Sequence, residues 1–384
     1  MAVCRCWNPV DVLSPYCPAA AKPGEHVVFA RRAPALDGAR GVAALLVFGK
    51  HFGTLAYPWT PDQGPVQILF QLLDVGSLGV DLFFLLSGYL IYGSLMRQAR
   101  AFGPYFARRL QRIYPAFIVV FLLYVLLMCV FPSRSKIPGP FWPAGVGYLL
   151  ANLALLPGVF VIPPLMTVAW SLSYELAAYV GWPALIGGLR FRSWSRGGRI
   201  GLLTLGTVLI LWNAPSQPEQ PLIKFGVLLA GGVVWEVAQA SAAPRLSGWG
   251  LVGLLAVVPL TRWLLMTDEV AVVQRWILLC LVVLLYDLVK TPESVTGRLL
   301  SQPRLRQFGW ISYSFYLIHG LMLHGVFLVW QWMQGASEGS LSLPGYLLLM
   351  FCACGVSLVA AQTLFHLVER PYSFSGNSVD TGST

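Results

Sequence analysis

Apolar residues in this chain come in long runs, each closed by a short polar or basic stretch. Crossing a bilayer takes about 20 apolar residues of helix. Runs of that order begin near Leu36 and continue at Val75–Met96, Pro115–Val130, Trp170–Leu189, Ile200–Trp212, Leu222–Ala238, Trp249–Met266, Val270–Val289, Phe308–Met333 and Gly345–Leu367. The pattern predicts an all-α polytopic membrane protein with about ten transmembrane helices. An eleventh run, Ala144–Val161, is broken by Gly145, Gly147, Pro157 and Gly158.

The charges between the runs decide how that eleventh run is read. Cytoplasmic loops carry an excess of Lys and Arg. With ten spans and a cytoplasmic N-terminus, the inner loops hold Arg97, Arg100, Arg108, Arg109 and Arg112, then Arg190, Arg192, Arg196 and Arg199. Arg245, Lys290, Arg298, Arg304 and Arg306 follow on the same side. The outer loops hold Arg134 and Lys136 against Asp268, Glu269 and Glu338. Counting Ala144–Val161 as a span would send Arg190 to Arg199 outside. It is therefore expected as a re-entrant or surface segment on the outer side, tolerable because protein buries it. Residues 1–33 lack the continuous apolar core of a signal peptide and are expected as a cytoplasmic tail. Residues 34–373 form one membrane domain, and the polar residues 374–384 a disordered C-terminal tail. Both termini are expected in the cytoplasm and the protein in the plasma membrane.

Composition agrees. Of 384 residues, 57% are hydrophobic and 11% charged, against roughly a quarter charged in soluble domains. The formal net charge of +10 would suit a nucleic-acid partner, but the basic residues sit in short loops between apolar runs, so membrane lipid is their partner and nucleic acid is excluded. The seven cysteines include no CxxC pair and no Cys/His spacing suited to zinc. No metal is expected, and Cys129, Cys280, Cys352 and Cys354 read as packing residues.

Several ionisable residues fall inside the apolar runs, where each costs roughly 2.5–3.5 kcal/mol on insertion scales and is usually kept for function. Arg40 and His51 lie eleven positions apart on the first run. On a helix that is about 20° beyond three full turns and about 16–17 Å of rise, so the guanidinium and the imidazole face one way, one near the surface and one deep. Counting about 1.5 Å per residue across roughly 30 Å of hydrocarbon brings His51, Asp81, Glu175 and His324 to a similar height in the outer half. A His beside a Glu suits general-base catalysis, the carboxylate fixing the tautomer and stabilising the imidazolium. A buried ion pair joining helices, or a proton path, is the plainer alternative. At the inner surface, Arg108 and Arg112 are one helical turn apart with Arg109 beside them. They suit anionic headgroups or a phosphate clamp, since guanidinium forks match phosphate oxygens. A donor with a phosphorylated head and a long thin reactive arm would join the two sites, and acetyl-CoA has that shape.

At these residues the chain resembles the acyltransferase-3 family of multi-pass membrane enzymes. LDGARG with Arg40 and His51 is similar to its Arg/His signature. GVDLFFLLSGYLI at Gly79–Ile91, RRLQRIYP at Arg108–Pro115, WSLSYE at Trp170–Glu175, YSFYLIH at Tyr313–His319 and VERP at Val368–Pro371 follow in the family's order. Six such blocks in sequence are specific where any one alone would be weak. The resemblance implies transfer of an acyl group, usually acetyl, from acetyl-CoA to a hydroxyl of an exopolysaccharide or other envelope carbohydrate. It implies His51 as catalytic base, Glu175 as a residue orienting base or acceptor, and Arg40 at the donor site. Arg108, Arg109 and Arg112 become CoA-phosphate contacts, and envelope-polysaccharide biosynthesis proteins the expected partners. His319 matches its motif with a role left open, and His324 matches none. The SGNH-type esterase-like domain that some members carry is not in this sequence, so such a chain would act directly or through a separate protein.

The same chemistry on a macrolide or lipid acceptor fits these residues equally. A polysaccharide or solute transporter would use the polar groups as a path, but typically shows paired broken helices, and only one broken segment is visible. A scaffold would leave the aligned Arg40 and His51 unexplained.

Overall fold

The computed structural model describes residues 34–373 except 140, 214–220, 241–242, 246, 265–269 and 335–339. Both tails and the outer acids Asp268, Glu269 and Glu338 lie outside the described residues. Among the described residues there is no strand, and ten helices run 16 residues or longer. In chain order the helices are α1 Pro34–Ala56, α2 Pro65–Asp74, α3 Leu78–Arg97, α4 Phe102–Val130, α5 Val146–Leu153, α6 Trp170–Gly188, α7 Arg196–Asn213, α8 Pro221–Ala238, α9 Trp249–Leu264, α10 Val270–Lys290, α11 Val295–Leu300, α12 Pro303–Gln334, α13 Leu343–Leu364 and α14 Arg370–Ser373. Four continuous helical stretches, Pro65–Arg97, Phe102–Val130, Pro303–Met333 and Leu343–Ser373, are by themselves long and apolar enough to cross a membrane.

The outer surface is that of a helical membrane protein. Leu122 and Leu126 on α4, and Leu348, Phe351 and Val359 on α13, are all more than half exposed. A row of bare aliphatic and aromatic side chains would be an aggregation site in water and is ordinary against lipid. Of the four cysteines in apolar runs, Cys280 and Cys354 are half-buried, but Cys129 and Cys352 face outward and pack nothing inside.

The centre of the bundle is the parallel pair α1 and α12. Pro34 opens α1, where its missing N–H is harmless, and Asp37 in the first turn complements the helix dipole. The two helices meet backbone to backbone. A Cβ on Gly41 would lie 2.9 Å from the Leu305 carbonyl oxygen, and one on Gly309 would lie 1.9 Å from that of Asp37, while Gly38 faces the Leu300 carbonyl at the end of α11. Small residues are what lets membrane helices approach so closely. Further along, Phe48, Phe52, Phe315 and Tyr346 fill the core.

The basic loops gather at one end. Arg192, after α6, donates to the carbonyls of Leu95 and Gln98 at the end of α3. Arg199 at the start of α7 binds Glu236 near the end of α8 at 2.5 and 3.1 Å. Lys290 at the end of α10 reaches the carbonyls of Ala238 and Ala240, and Gln111 on α4 donates to that of Tyr372. At the far end, the Leu341 amide before α13 donates to Trp59 after α1. The broken run enters from this far end as α5, whose last carbonyl, Leu153, accepts from Tyr114 of α4 at 3.3 Å. The chain then runs irregularly from Ala154 to Ala169 with Leu165, Met166 and Val168 buried. It turns back within the bundle, and α6 starts from inside it.

Candidate active site

A cavity of about 810 Å³ opens at the basic end, between α1, α3, α4, α6 and α12. Arg40, Arg97, Arg100, Arg108, Arg109 and Arg112 line it, and among the described residues Glu175 is the one carboxylate on its wall. The arginines are held in different ways. Arg109 lies between two aromatic faces, its Cζ 5.5 Å from the Tyr105 ring centroid and 5.3 Å from that of Tyr179, and donates to Ser94 Oγ at 3.3 Å. Cation–π contact of this kind strengthens as water is excluded. Arg112 is bound to Glu369, whose carboxylate is fully buried and also accepts from Ser314 Oγ at 2.6 Å. Arg108 is exposed. Partial burial, and then the like charges of Arg108 and Arg109, hold the Arg100 guanidinium below its ordinary value. The mouth of the cavity is thus a cluster of cations in mutual repulsion, which an anion would relieve.

The inner wall is neutral. Ser171 at the start of α6 and Tyr316 on α12 share a hydrogen bond of 2.7 Å, and the Tyr316 hydroxyl also donates to Val168 at 3.1 Å. Phe83 stands edge-on to Tyr316, with ring centroids 5.6 Å apart. One turn further from the basic end is His319, its ring 6.0 Å from that of Tyr316. His319 Nε2 lies 3.1 Å from His51 Nδ1, and His319 Nδ1 lies 3.0 Å from the Phe315 carbonyl oxygen. The first helix thus carries Arg40 on the cavity wall and His51 beyond its tip, as the spacing predicts.

The expected convergence of four groups at one height is corrected. Glu175 does not reach His51. Its carboxylate accepts from Tyr179 at 2.5 Å and faces the arginine cavity. The depth count placed Trp170 at the outer boundary, but α6 begins inside the bundle at the level of Tyr316. Glu175, one turn further along α6, then falls about 6 Å on the basic side of Ser171, while His319 is about 4–5 Å beyond Tyr316 on the other side. Asp81 is likewise taken up, by Lys224 of α8 at 2.6 Å. His324 does lie close enough to His51 to interact with it electrostatically. The hydrogen-bond partner of His51 is His319, for which the YSFYLIH block was the only signal. Arg97 and Arg100 as cavity residues were visible only as loop charges, and Glu369 only as part of VERP.

Residues 34–362 match the acyltransferase domain of the acyltransferase-3 family, and the chain belongs to that family. The match runs from the first residue of α1 almost to the end of α13, so it contains the arginine cavity and both histidines. Acyltransferase MdmB of Streptomyces mycarofaciens is 33% identical over 152 residues, which are 40% of this chain and 38% of the relative. Peptidoglycan O-acetyltransferase OatA of Listeria monocytogenes is 24% identical over 322 residues, 74% of this chain and 48% of the relative. The chain therefore spans less than half the length of either relative. No solved structure matches it significantly.

Proposed function

We propose that this chain is a plasma-membrane O-acetyltransferase with ten crossings and both termini in the cytoplasm. In this reading acetyl-CoA enters the arginine cavity from the cytoplasm and its acetyl group passes to a hydroxyl on an exopolysaccharide or other envelope carbohydrate. The observation that carries the reading is the layout of the cavity: a cluster of cations at its mouth, a neutral wall of Ser171 and Tyr316 at its tip, and His51 a turn beyond. That order matches a donor whose phosphates and thioester lie at opposite ends of one thin molecule. Guanidinium groups suit the phosphates. His51 takes the hydroxyl proton, the oxygen attacks the thioester carbonyl, and the C–S bond breaks. The thiolate recovers the proton from His51 and leaves as free CoA. The gathering of basic loops at one end supports the orientation. The peptidoglycan in the name of the Listeria relative is an envelope glycan, which supports the acceptor class.

Purified protein in nanodiscs, given acetyl-CoA and candidate glycans, tests this by CoA release and product mass. His51→Ala is expected to lose 10²–10⁴-fold in rate while still binding acetyl-CoA. Wild-type turnover by that variant would end the proposed mechanism.

A further inference from the structure

The hydrogen bonds around the two histidines fix where their protons are. A neutral imidazole has one N–H and one lone pair. His319 Nδ1 faces the Phe315 carbonyl oxygen at 3.0 Å, and a carbonyl oxygen can only accept. The His319 proton therefore sits on Nδ1, and Nε2 is left as a lone pair. That lone pair faces His51 Nδ1 at 3.1 Å, so the shared bond closes only when His51 carries its proton at Nδ1. The nitrogen left bare is His51 Nε2. His319 cannot easily turn to undo this, because it is fully buried and its ring stacks on Phe315 at a 12° interplanar angle.

We propose that His319 is a positioning residue for acyl transfer: it holds His51 in the Nδ1–H tautomer, which leaves Nε2 as the atom that takes the acceptor proton. This rests on the reading of His51 as the base. The hydroxyl proton moves to Nε2, the oxygen bonds to the thioester carbon, and the departing sulfur takes the proton back from Nε2. His319 neither gains nor loses a proton in this cycle. Its lone pair accepts a stronger, charge-assisted bond while His51 is an imidazolium. In the Ser-His-Asp triad a carboxylate fills the same place. Between Phe48, Phe315 and Tyr316 a buried carboxylate would need a set of donors that these rings do not supply, whereas a neutral imidazole does the same work without a net charge.

The test uses two variants and a readout that packing alone would not move. His319→Leu fills similar volume without an acceptor, and His319→Gln keeps a side-chain oxygen that can accept from His51 Nδ1. The Leu variant is expected to lose about 10²-fold or more in kcat with KM for acetyl-CoA within about twofold, by analogy with loss of the orienting group in triads. The Gln variant is expected to recover at least about tenfold over Leu. ¹⁵N NMR of histidine-labelled protein in nanodiscs, with His51 assigned by loss of its signals in His51→Gln, is expected to show Nδ1 protonated and Nε2 bare in the wild type. In His319→Leu that preference is expected to disappear. A wild-type His51 protonated at Nε2, a fully active Leu variant, or Leu and Gln variants equally impaired would overturn the proposal. Activity in His51→Ala would sink the reading of the base instead, and the NMR result would stand apart from it.

Discussion

Replacing Gly309 with alanine probes the contact on which the histidine pair depends. The new Cβ would lie 1.9 Å from the Asp37 carbonyl oxygen, where ordinary contact starts at 3.4 Å. The α1 and α12 backbones would have to separate there by about 1.5 Å. Overpacking of this size costs about 1–3 kcal/mol. His51 and His319 lie further along the same two helices, 3.1 Å apart. If half of the separation reaches them, their distance becomes about 3.8 Å, outside hydrogen-bonding range. Gly325 is on the same helix with nothing within 4 Å of its would-be Cβ. Gly325→Ala is thus the control, and alanine's helix propensity favours it by about 1 kcal/mol. Thermal unfolding in detergent and CoA release from acetyl-CoA are measured on both. Gly309→Ala is expected to unfold at lower temperature and to lose at least about tenfold in kcat, and Gly325→Ala neither. Equal stability and turnover in the two variants would refute the argument that close backbone approach sets the histidine pair.

Arg108→Ala with Arg109→Ala is expected to raise the KM for acetyl-CoA about ten- to a hundredfold, from the roughly 1.5–3 kcal/mol of a charge-assisted hydrogen bond. An unchanged KM in a folded double variant would return these residues to lipid headgroups. Glu369→Gln leaves Arg112 without its buried counter-charge and is expected to destabilise by about 1–3 kcal/mol, with Ser314→Ala milder at about 1. Unfolding midpoints in detergent decide this, and a Gln variant as stable as the wild type would contradict it. Single cysteines at Arg192 and Gly64, in a background cleared of native cysteines, are expected to label from opposite faces of oriented vesicles. Labelling from the same face would remove the ten-crossing reading.

What the sequence made legible was whatever depends on one helix at a time. The eleven-residue spacing of Arg40 and His51 survives because a straight helix fixes the phase and rise between them. The loop arginines survive because charge segregation needs no tertiary contact. Glu175 was misplaced for a physical reason: its depth was counted from a helix start assumed to be at the membrane boundary, and the irregular stretch Ala154–Ala169 moves that start inward. The pairing of Asp81 with Lys224 was not visible because the two are 143 positions apart, and His319 went unpaired because its partner is 268 positions away. Gly41 and Gly309 were visible as residues, but not that each faces a carbonyl of the other's helix.

The inward start of α6 also bears on what has to cross the membrane. If, as proposed, a charged donor follows the cavity as far as Ser171 and Tyr316, the dry barrier at this point is thinner than the bilayer around it. On the proposed reading, no phosphate, nucleotide or sugar ring has to enter that barrier. A two-carbon fragment does, already bonded to sulfur on one side and to oxygen on the other. Export of the acetyl unit would then need neither a carrier cycle nor an ion gradient: making the ester bond and moving the fragment would be the same event, drawn forward by cleavage of the thioester.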